Sequence, residues 1–317
     1  MSSSESLDNT KLFSYHSHSG QFCNHAKGTL EQVVQAAIDR RFTSLGLSEH
    51  MPRYKPDQLY PEEAHLTTDD LQLLFDNYVT EAARLQEKYK DQIEIVIGFE
   101  TEYFGHESIT YIQNLRQPHR KRFTPTGAAS GHDDTPLPTI QYIVGSLHHL
   151  RGIPIDFSKE LYLKAFEDVG KGSWQTLFEV YFDEQFQLIR GVQPEVIGHF
   201  DLIRLFFDAI QQQVGDSQVR GELSGKLWEL VQRNIDAVVS YGGLFELNSR
   251  SWKKGMLDAY PSRDIIAAIK AAGGQFTLSD DSHGPDDIGM FYDPQLKDYL
   301  ERMGIDEVYY LVVMIML

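Results

Sequence analysis

Residues 11–19 read KLFSYHSHS, a short apolar run that ends in two histidines, His16 and His18. Similar runs follow along the chain, and most of them also end in a histidine or a carboxylate. The eight runs are Lys11–Tyr15, Ser44–Leu47, Ile93–Gly98, Ile140–Leu147, Glu195–Gly198, Gly243–Leu247, Phe276–Ser279 and Glu307–Val312. Amphipathic stretches separate them, and Thr29 and Thr67 are suited to begin two of the helices that these stretches predict. Strands that alternate with helices predict βα units around a largely parallel sheet.

The polar residues behind these runs would meet at one place in a parallel β/α barrel. The carboxyl ends of its strands converge at one rim, which is where such barrels hold their active sites. Together with His25 in the first loop, the residues in these positions are His16, His18, His50, Glu100, His148, His199, Asp281 and His283. Histidines at i and i+2 also point to the same face of an extended segment. The pattern therefore predicts a polynuclear metal site at the rim.

The donor types narrow the choice of metal. Imidazole nitrogens and carboxylate oxygens suit zinc, manganese or iron. Cys23 is the only cysteine, which excludes an intrachain disulfide and a cysteine-rich structural zinc site. Paired ions about 3.5–4 Å apart stabilise the attacking and the leaving oxygen in phosphoryl hydrolysis. This chemistry favours a metal-dependent hydrolase.

Composition excludes several classes of partner. The 317 residues include 46 acidic and 29 basic side chains, for a formal net charge of −17. Such a surface repels phosphate backbones and anionic lipid, so we expect neither a nucleic-acid nor a membrane partner. The N-terminus lacks an apolar signal core, and no run approaches the ~18 apolar residues of a membrane span. These features predict a cytoplasmic protein, and they are compatible with a monomer or a dimer.

Three segments depart from the alternation. Residues 117–139 (QPHRKRFTPTGAASGHDDTPLPT) are rich in proline, glycine and polar residues and predict a mobile surface insertion. His119 and His132 lie in it, and we assign them no role. Residues 1–11 are expected to form a disordered tail and residues 313–317 a second tail. A single domain over residues 12–312 remains.

The chain resembles the polymerase and histidinol phosphatase (PHP) superfamily, and within it the histidinol-phosphate phosphatases of histidine biosynthesis. The motifs that carry the resemblance are HSHS at 16–19, FCNHA at 22–26, SEHMP at 48–52, IGFETEY at 97–103, VGSLHHLRGIPIDF at 144–157, VIGHFDL at 196–202, LFELNSRSWKKGMLDAYP at 244–261 and LSDDSHGPDDIG at 278–289. It covers nearly the whole chain and implies an α/β fold, a distorted TIM-like (β/α)7 barrel. One of the eight runs, with the last as the candidate, would then lie outside the barrel.

The resemblance also implies the ligand sets. They are His16, His18, Glu100 and Asp281 for one ion, Glu100, His148 and His199 for a second, and His25, His50 and His283 for a third, with Glu100 as the bridge. All nine positions hold the residue type that the family pattern expects, so we expect an active enzyme with two to three divalent ions of zinc, manganese or iron.

The implied reaction is hydrolysis of L-histidinol phosphate to L-histidinol and phosphate. In this hypothesis a metal-bound water attacks phosphorus, and Asp281 or Asp201 protonates the leaving oxygen. Lys254 and Arg204 are candidates for phosphate contacts, and Glu49, Glu102 and Asp156 are candidates for contacts with the ammonium or imidazole group. Three alternatives stay open: a PHP-type phosphoesterase for another small phosphate ester, a non-catalytic metal-binding protein, and a protein that binds a partner through residues 117–139.

Overall fold

A computed structural model describes residues 2–6, 12–118, 120–123, 136–207 and 225–311 of the chain. Its central sheet contains seven parallel strands, which are β1 (Leu12–Ser14), β2 (Phe42–Leu47), β3 (Glu94–Glu100), β4 (Tyr142–Gly145), β5 (Val196–Ile197), β6 (Leu244–Asn248) and β7 (Gln275–Ser279). Neighbours in the sheet are also neighbours in sequence, so the strand order is β1 to β7. The two edges meet where Tyr15 N donates to Leu278 O at 3.4 Å. The sheet is thus a nearly closed barrel, which confirms the predicted fold class.

Helices surround the barrel. In the described ranges they are α1 (Leu30–Asp39), α2 (Thr68–Tyr89), α3 (His106–Leu115), α4 (Lys159–Asp168), α5 (Trp174–Val192), α6 (Lys226–Tyr241), α7 (Arg250–Lys253), α8 (Arg263–Ala271) and α9 (Lys297–Met303). Both predicted caps are confirmed, because Thr29 accepts from Gln32 N and Thr67 accepts from Asp70 N. Within the described ranges, no helix has both the length and the apolar character needed to cross a bilayer.

Short pieces extend the barrel at its carboxyl rim. Ser17–His18 pairs in parallel with Ser282–His283, and His149–Leu150 pairs antiparallel with Ile153–Pro154. Single helical turns of the 3₁₀ type lie at Pro56–Gln58, Pro61–Glu63, Leu202–Arg204 and Pro285–Asp287. A π-helical turn at Tyr292–Leu296 lies away from this rim, because Tyr292 stacks on Phe42 at the start of β2. These rim pieces carry many of the polar side chains described below.

The last apolar run forms a strand, β8 (Glu307–Leu311), outside the barrel, as predicted. It pairs antiparallel with Ser2–Ser6. This pairing differs from the disordered tail that we predicted for residues 1–11. The predicted tail at 313–317 lies outside the described residues.

The described ends of the 117–139 insertion contact the barrel's outer layer. Arg120 Nη2 donates to Asp76 Oδ1 at 2.6 Å, and Phe123 N donates to Asp76 Oδ2 at 2.6 Å. Leu137 N donates to Arg120 O at 2.8 Å. The insertion therefore leaves and rejoins the fold beside α2. Its middle part, together with His119, lies outside the described residues.

Packing inside the barrel fixes the position of β3 and therefore of Glu100, its last residue. A Cβ on Gly98 would lie 2.3 Å from Tyr142 Cε1, so only glycine lets the Tyr142 ring pass this close to β3. The Tyr142 hydroxyl crosses the barrel and donates to Tyr15 O at 3.0 Å. The strand that ends in Glu100 is thereby packed against both β4 and the segment that leads to His16.

Candidate metal centre

The structure brings all nine predicted ligands together at the carboxyl rim. His16 and His18 follow β1, His50 follows β2, Glu100 ends β3, His148 and His199 follow β4 and β5, and Asp281 and His283 follow β7. The parallel pairing of Ser17–His18 with Ser282–His283 joins the first and last of these segments across the barrel seam. Asp281 has φ of 45°, in the left-handed region that non-glycine residues rarely adopt. Such backbone strain persists only where the surrounding structure enforces it.

Glu100 lies at the centre of the group and is buried. Its Oε1 lies 3.0 Å from His16 Nε2 and 3.1 Å from the Nε2 atoms of His148 and His199. Its Oε2 lies 2.9 Å from His50 Nδ1 and 3.4 Å from His18 Nε2. Burial alone would raise the pKa of the Glu100 carboxyl, but positive charge on His16, His148 and His50 holds that pKa well below its usual range. The carboxylate is therefore an anion with five imidazoles around it.

The Nδ1 atoms of two imidazoles contact carboxylates behind them, which leaves the Nε2 atoms directed at Glu100. His16 Nδ1 lies 2.9 Å from Glu246 Oε2, and His148 Nδ1 lies 3.3 Å from Glu102 Oε2. An ionised carboxylate only accepts, so these Nδ1 atoms carry a proton. The Nε2 atoms of the same two rings face the Glu100 carboxylate, and those of His148 and His199 lie 3.2 Å apart beside it. This close packing around an anion requires positive charge, which either a second proton on the rings or a metal ion among them supplies. The residues thus fit bound metal ions.

A second row of carboxylates orients the histidines from behind. Glu246 faces His16, Glu102 faces both His148 and His149, Glu49 lies 3.6 Å from His18 Nδ1, and Glu62 lies 2.8 Å from His25 Nδ1. Carboxylates in this position fix the tautomer of a ligand histidine and raise its basicity. Sequence reasoning missed Glu246 and Glu62. For Glu246 a signal existed, since a lone carboxylate inside the apolar run LFELN predicts a buried charge with a specific partner.

Two predicted substrate contacts occupy this second row. Glu49 is buried, and its Oε1 accepts from Ser19 N at 2.8 Å and from Ser19 Oγ at 2.7 Å. Glu102 is fully buried, and its carboxylate faces histidines. The structure therefore places both behind the ligands, where they orient imidazoles, and away from the position predicted for substrate partners.

A third group of donors lies at the edge of the centre. Donor atoms of Cys23, His25, His50 and His283 all lie within 4.8 Å of one another. Burial would raise the pKa of the Cys23 thiol, but hydrogen bonds and positive charge from His25 and His50 lower it to about 6. The sequence prediction named the three histidines and did not include Cys23.

A cavity of about 250 Å³ opens over the centre. Its walls include the ligands His25, His50, Glu100, His148, His199, Asp281 and His283, together with Tyr60, Asp156, Phe157, Leu202, Arg250, Lys254 and Tyr260. Lys254 and Asp156 thus lie where the sequence predicted. Asp156 Oδ1 and the Tyr260 hydroxyl are enclosed and have no hydrogen-bond partner among the described residues. The cavity therefore combines cationic, anionic and aromatic groups around the metal ligands.

The structure places Arg250 in the cavity wall and leaves Arg204, the predicted phosphate contact, outside it. Arg204 Nη2 donates to Asp264 Oδ2 at 3.2 Å, and its Nε lies 3.6 Å from Asp201 Oδ2. These pairs engage Arg204 with other side chains, and Asp201 also accepts from Ser262 N at 3.0 Å. Arg250, which the prediction omitted, lines the cavity beside Asp281.

Comparisons with known proteins identify the family to which this chain is similar. Residues 14–250 match the PHP domain family model. The chain is 45% identical over 292 residues to a Schizosaccharomyces pombe protein named a probable histidinol-phosphatase, with 92% of this chain and 87% of the relative covered. It is 28% identical to the histidinol-phosphatase of Saccharomyces cerevisiae, with 95% of this chain and 91% of that one covered.

Solved structures share the fold. The histidinol phosphate phosphatase of Lactococcus lactis, crystallised with zinc, L-histidinol and phosphate, superposes with a TM-score of 0.57 at 18% identity, covering 93% of this chain and 94% of that one. A candidate histidinol phosphatase of Listeria monocytogenes gives a TM-score of 0.64 at 22% identity, covering 89% and 98%. At sequence identities of 18% and 22%, the similarity to these two structures shows the fold of the chain and nothing beyond it.

Replacement of Glu100 tests whether this carboxylate holds metal ions at the centre of the group. Glu100→Gln keeps the size of the side chain and removes its charge, so we expect the metal content of the purified protein to fall by at least one ion per chain. Metal analysis of the dialysed protein measures this. Glu94→Gln, at the exposed start of the same strand, is the matched control and should keep full metal content. An unchanged content in Glu100→Gln would contradict the assignment.

Replacement of Glu246 tests the second row. Glu246→Gln cannot hold the His16 Nδ1 proton as strongly, and loss of such a partner weakens metal affinity by about 10–100-fold. Competition with a chelator of known affinity measures the change, with Glu229→Gln in the exposed first turn of α6 as the control. Equal affinities in the two variants would show that Glu246 does not support the ligands.

Proposed function

The chain belongs to the PHP domain family and, within it, to the histidinol-phosphatases, and from this membership we propose that it hydrolyses L-histidinol phosphate to L-histidinol and phosphate in histidine biosynthesis. The observation that carries the proposal is the cluster of seven imidazoles and two carboxylates, Glu100 and Asp281, at the floor of a cavity with both cationic and anionic walls. A substrate with a phosphate at one end and an ammonium group at the other matches those walls.

The donor sets suit divalent ions of zinc, manganese or iron. We propose a trinuclear centre in which Glu100 is shared by two of the three ions. When bound, such ions supply positive charge for the phosphate and lower the pKa of a coordinated water to about 7, which provides the nucleophile. The protein's part is to hold the donors in position, to orient the substrate and to enclose the reacting groups.

Arg250 and Lys254 are the side chains we propose for the phosphate end. Arg250 Nη1 donates to the Asp281 carbonyl oxygen at 3.1 Å and to Asp287 Oδ2 at 3.2 Å, which fixes the guanidinium beside the ligands. Lys253 is occupied by an ion pair with Asp287, whereas Lys254 has no ion-pair partner in the described ranges. In a protein with a net charge of −17, these local cations would attract a phosphate dianion to the rim.

Asp156 is the side chain we propose for the ammonium group. Its Oδ1 is buried and has no hydrogen-bond partner in the part of the chain that the structure describes, and a buried carboxylate oxygen in this state is costly until a donor reaches it. Tyr60 and Phe157 stack beside it, with ring centroids 6.0 Å apart and an interplanar angle of 27°. Aromatic faces next to an anion suit a flat imidazole that carries an ammonium group close by.

Phosphate release from L-histidinol phosphate by the zinc- or manganese-loaded protein tests the function. The comparison set includes the analogue that lacks the amino group, 3-(imidazol-4-yl)propyl phosphate, and a phosphomonoester without an imidazole. We expect kcat/KM to be highest for L-histidinol phosphate. Equal, weak rates on all esters would contradict this substrate and favour another small phosphate ester.

The variant Asp156→Asn tests, in the same assay, the proposed contact between Asp156 and the ammonium group. Hydrogen bonds to charged groups contribute about 1.5–3 kcal/mol, so we expect kcat/KM for L-histidinol phosphate to fall by about 10–150-fold. The rate on the analogue without the amino group should change little, because that analogue has no ammonium for Asp156 to bind. Lys253→Met is the control for surface charge near the cavity and should leave the substrate preference unchanged. A uniform loss on both substrates in Asp156→Asn would contradict the proposed contact.

A further inference from the structure

The third group of donors contains one residue that the ligand sets above leave out. Cys23 is buried, and its Sγ lies 3.3 Å from His25 Nε2. The Sγ also falls within the 4.8 Å limit that encloses the donor atoms of His25, His50 and His283. The sulfur is therefore within reach of a cation that these imidazole nitrogens would also bind.

The histidines supply independent evidence that a cation belongs at this point. His25 Nδ1 lies 2.8 Å from Glu62 Oε1, and His283 Nδ1 lies 3.0 Å from the Asp281 carbonyl oxygen. Both oxygens only accept, so both Nδ1 atoms carry the proton and both neutral rings have a bare Nε2. These two Nε2 atoms nevertheless lie 3.1 Å apart. His50 Nε2 is enclosed and has no hydrogen-bond partner among the described residues.

We infer that Cys23, as a thiolate, is the fourth ligand of this group beside His25, His50 and His283, and that this position is the zinc-selective one of the centre. The inference rests on the metal centre of the proposed function. With Zn–N of about 2.05 Å and Zn–S of about 2.3 Å, a tetrahedral site separates two nitrogens by about 3.3 Å and a nitrogen from sulfur by about 3.6 Å. The separations of 3.1 Å and 3.3 Å here are close to both values.

The chemistry of the donors distinguishes this group from the other two. The sets around Glu100 offer only nitrogen and oxygen, which accept manganese and iron as well as zinc. A thiolate is a soft donor and favours zinc. One thiolate and three imidazoles also fill the four positions of tetrahedral zinc. We therefore expect one ion to be retained as zinc when the protein is supplied with an excess of manganese.

X-ray absorption at the zinc edge tests the assignment on the full-length, zinc-loaded protein. Cys23 is the only cysteine, so any thiolate sulfur bound to zinc identifies it. We expect a zinc–sulfur distance of about 2.3 Å. The cobalt-loaded protein should show the near-ultraviolet band of thiolate-to-cobalt charge transfer. Both signals should disappear in Cys23→Ser, and zinc retention against manganese should fall by one ion per chain. Asn24→Ser, an exposed change next to Cys23, is the matched control and should keep both signals.

The wild-type spectra decide the matter even if Cys23→Ser fails to fold. Absence of zinc–sulfur scattering in the loaded wild type would overturn the inference, as would a charge-transfer band that persists in Cys23→Ser. Phosphate release from L-histidinol phosphate, measured on the same samples, separates the two proposals. Hydrolysis without a sulfur signal would leave the phosphatase and remove the Cys23 ligand, whereas a sulfur signal without hydrolysis would do the reverse.

Discussion

The contact between the buried Glu100 carboxylate and the five imidazoles around it is the interaction on which the rest of this structure depends. A carboxylate removed from water costs several kcal/mol unless opposite charge and hydrogen bonds compensate it. Protons on the histidines can provide that charge. Divalent ions also provide it, and in addition they explain why imidazole nitrogens of neighbouring histidines face one another. The barrel supplies the geometry, because the carboxyl ends of β1 to β5 and β7 bring donors from distant parts of the sequence to one rim.

The rim positions of the predicted ligands could be found from the sequence because both signals that reveal them are local. A short apolar run predicts a strand, and a histidine or carboxylate directly behind it predicts a rim position once the strands are parallel. His50, Glu100 and His199 all follow this pattern. The barrel then gathers them, since its strand order is the order of the chain. The capping residues Thr29 and Thr67 were predictable for the same reason, because a helix N-terminus is recognised within four residues.

The substrate contacts and the N-terminal strand depend on which residues meet across the fold, and no local sequence pattern contains this information. Glu49 and Glu102 have the charge expected of ammonium partners, but the fold directs them to the backs of His18 and His148. Arg204 follows a strand as Lys254 does, yet two aspartates engage it before it reaches the cavity. Ser2–Ser6 has the composition of a tail, and its strand conformation comes from the antiparallel pairing with β8, which is distant in sequence.

Anomalous diffraction at the zinc edge, from crystals grown with zinc and phosphate, tests the central claim most directly. We expect peaks in all three donor groups, two of them within ligand distance of opposite oxygens of Glu100 and one among the histidines beside Cys23. Phosphate density should lie over these peaks, on the side of Arg250 and Lys254. Imidazoles in their present positions with no anomalous peak beside Glu100 would contradict the proposed metal centre, because the imidazoles would then pack around the carboxylate without metal ions.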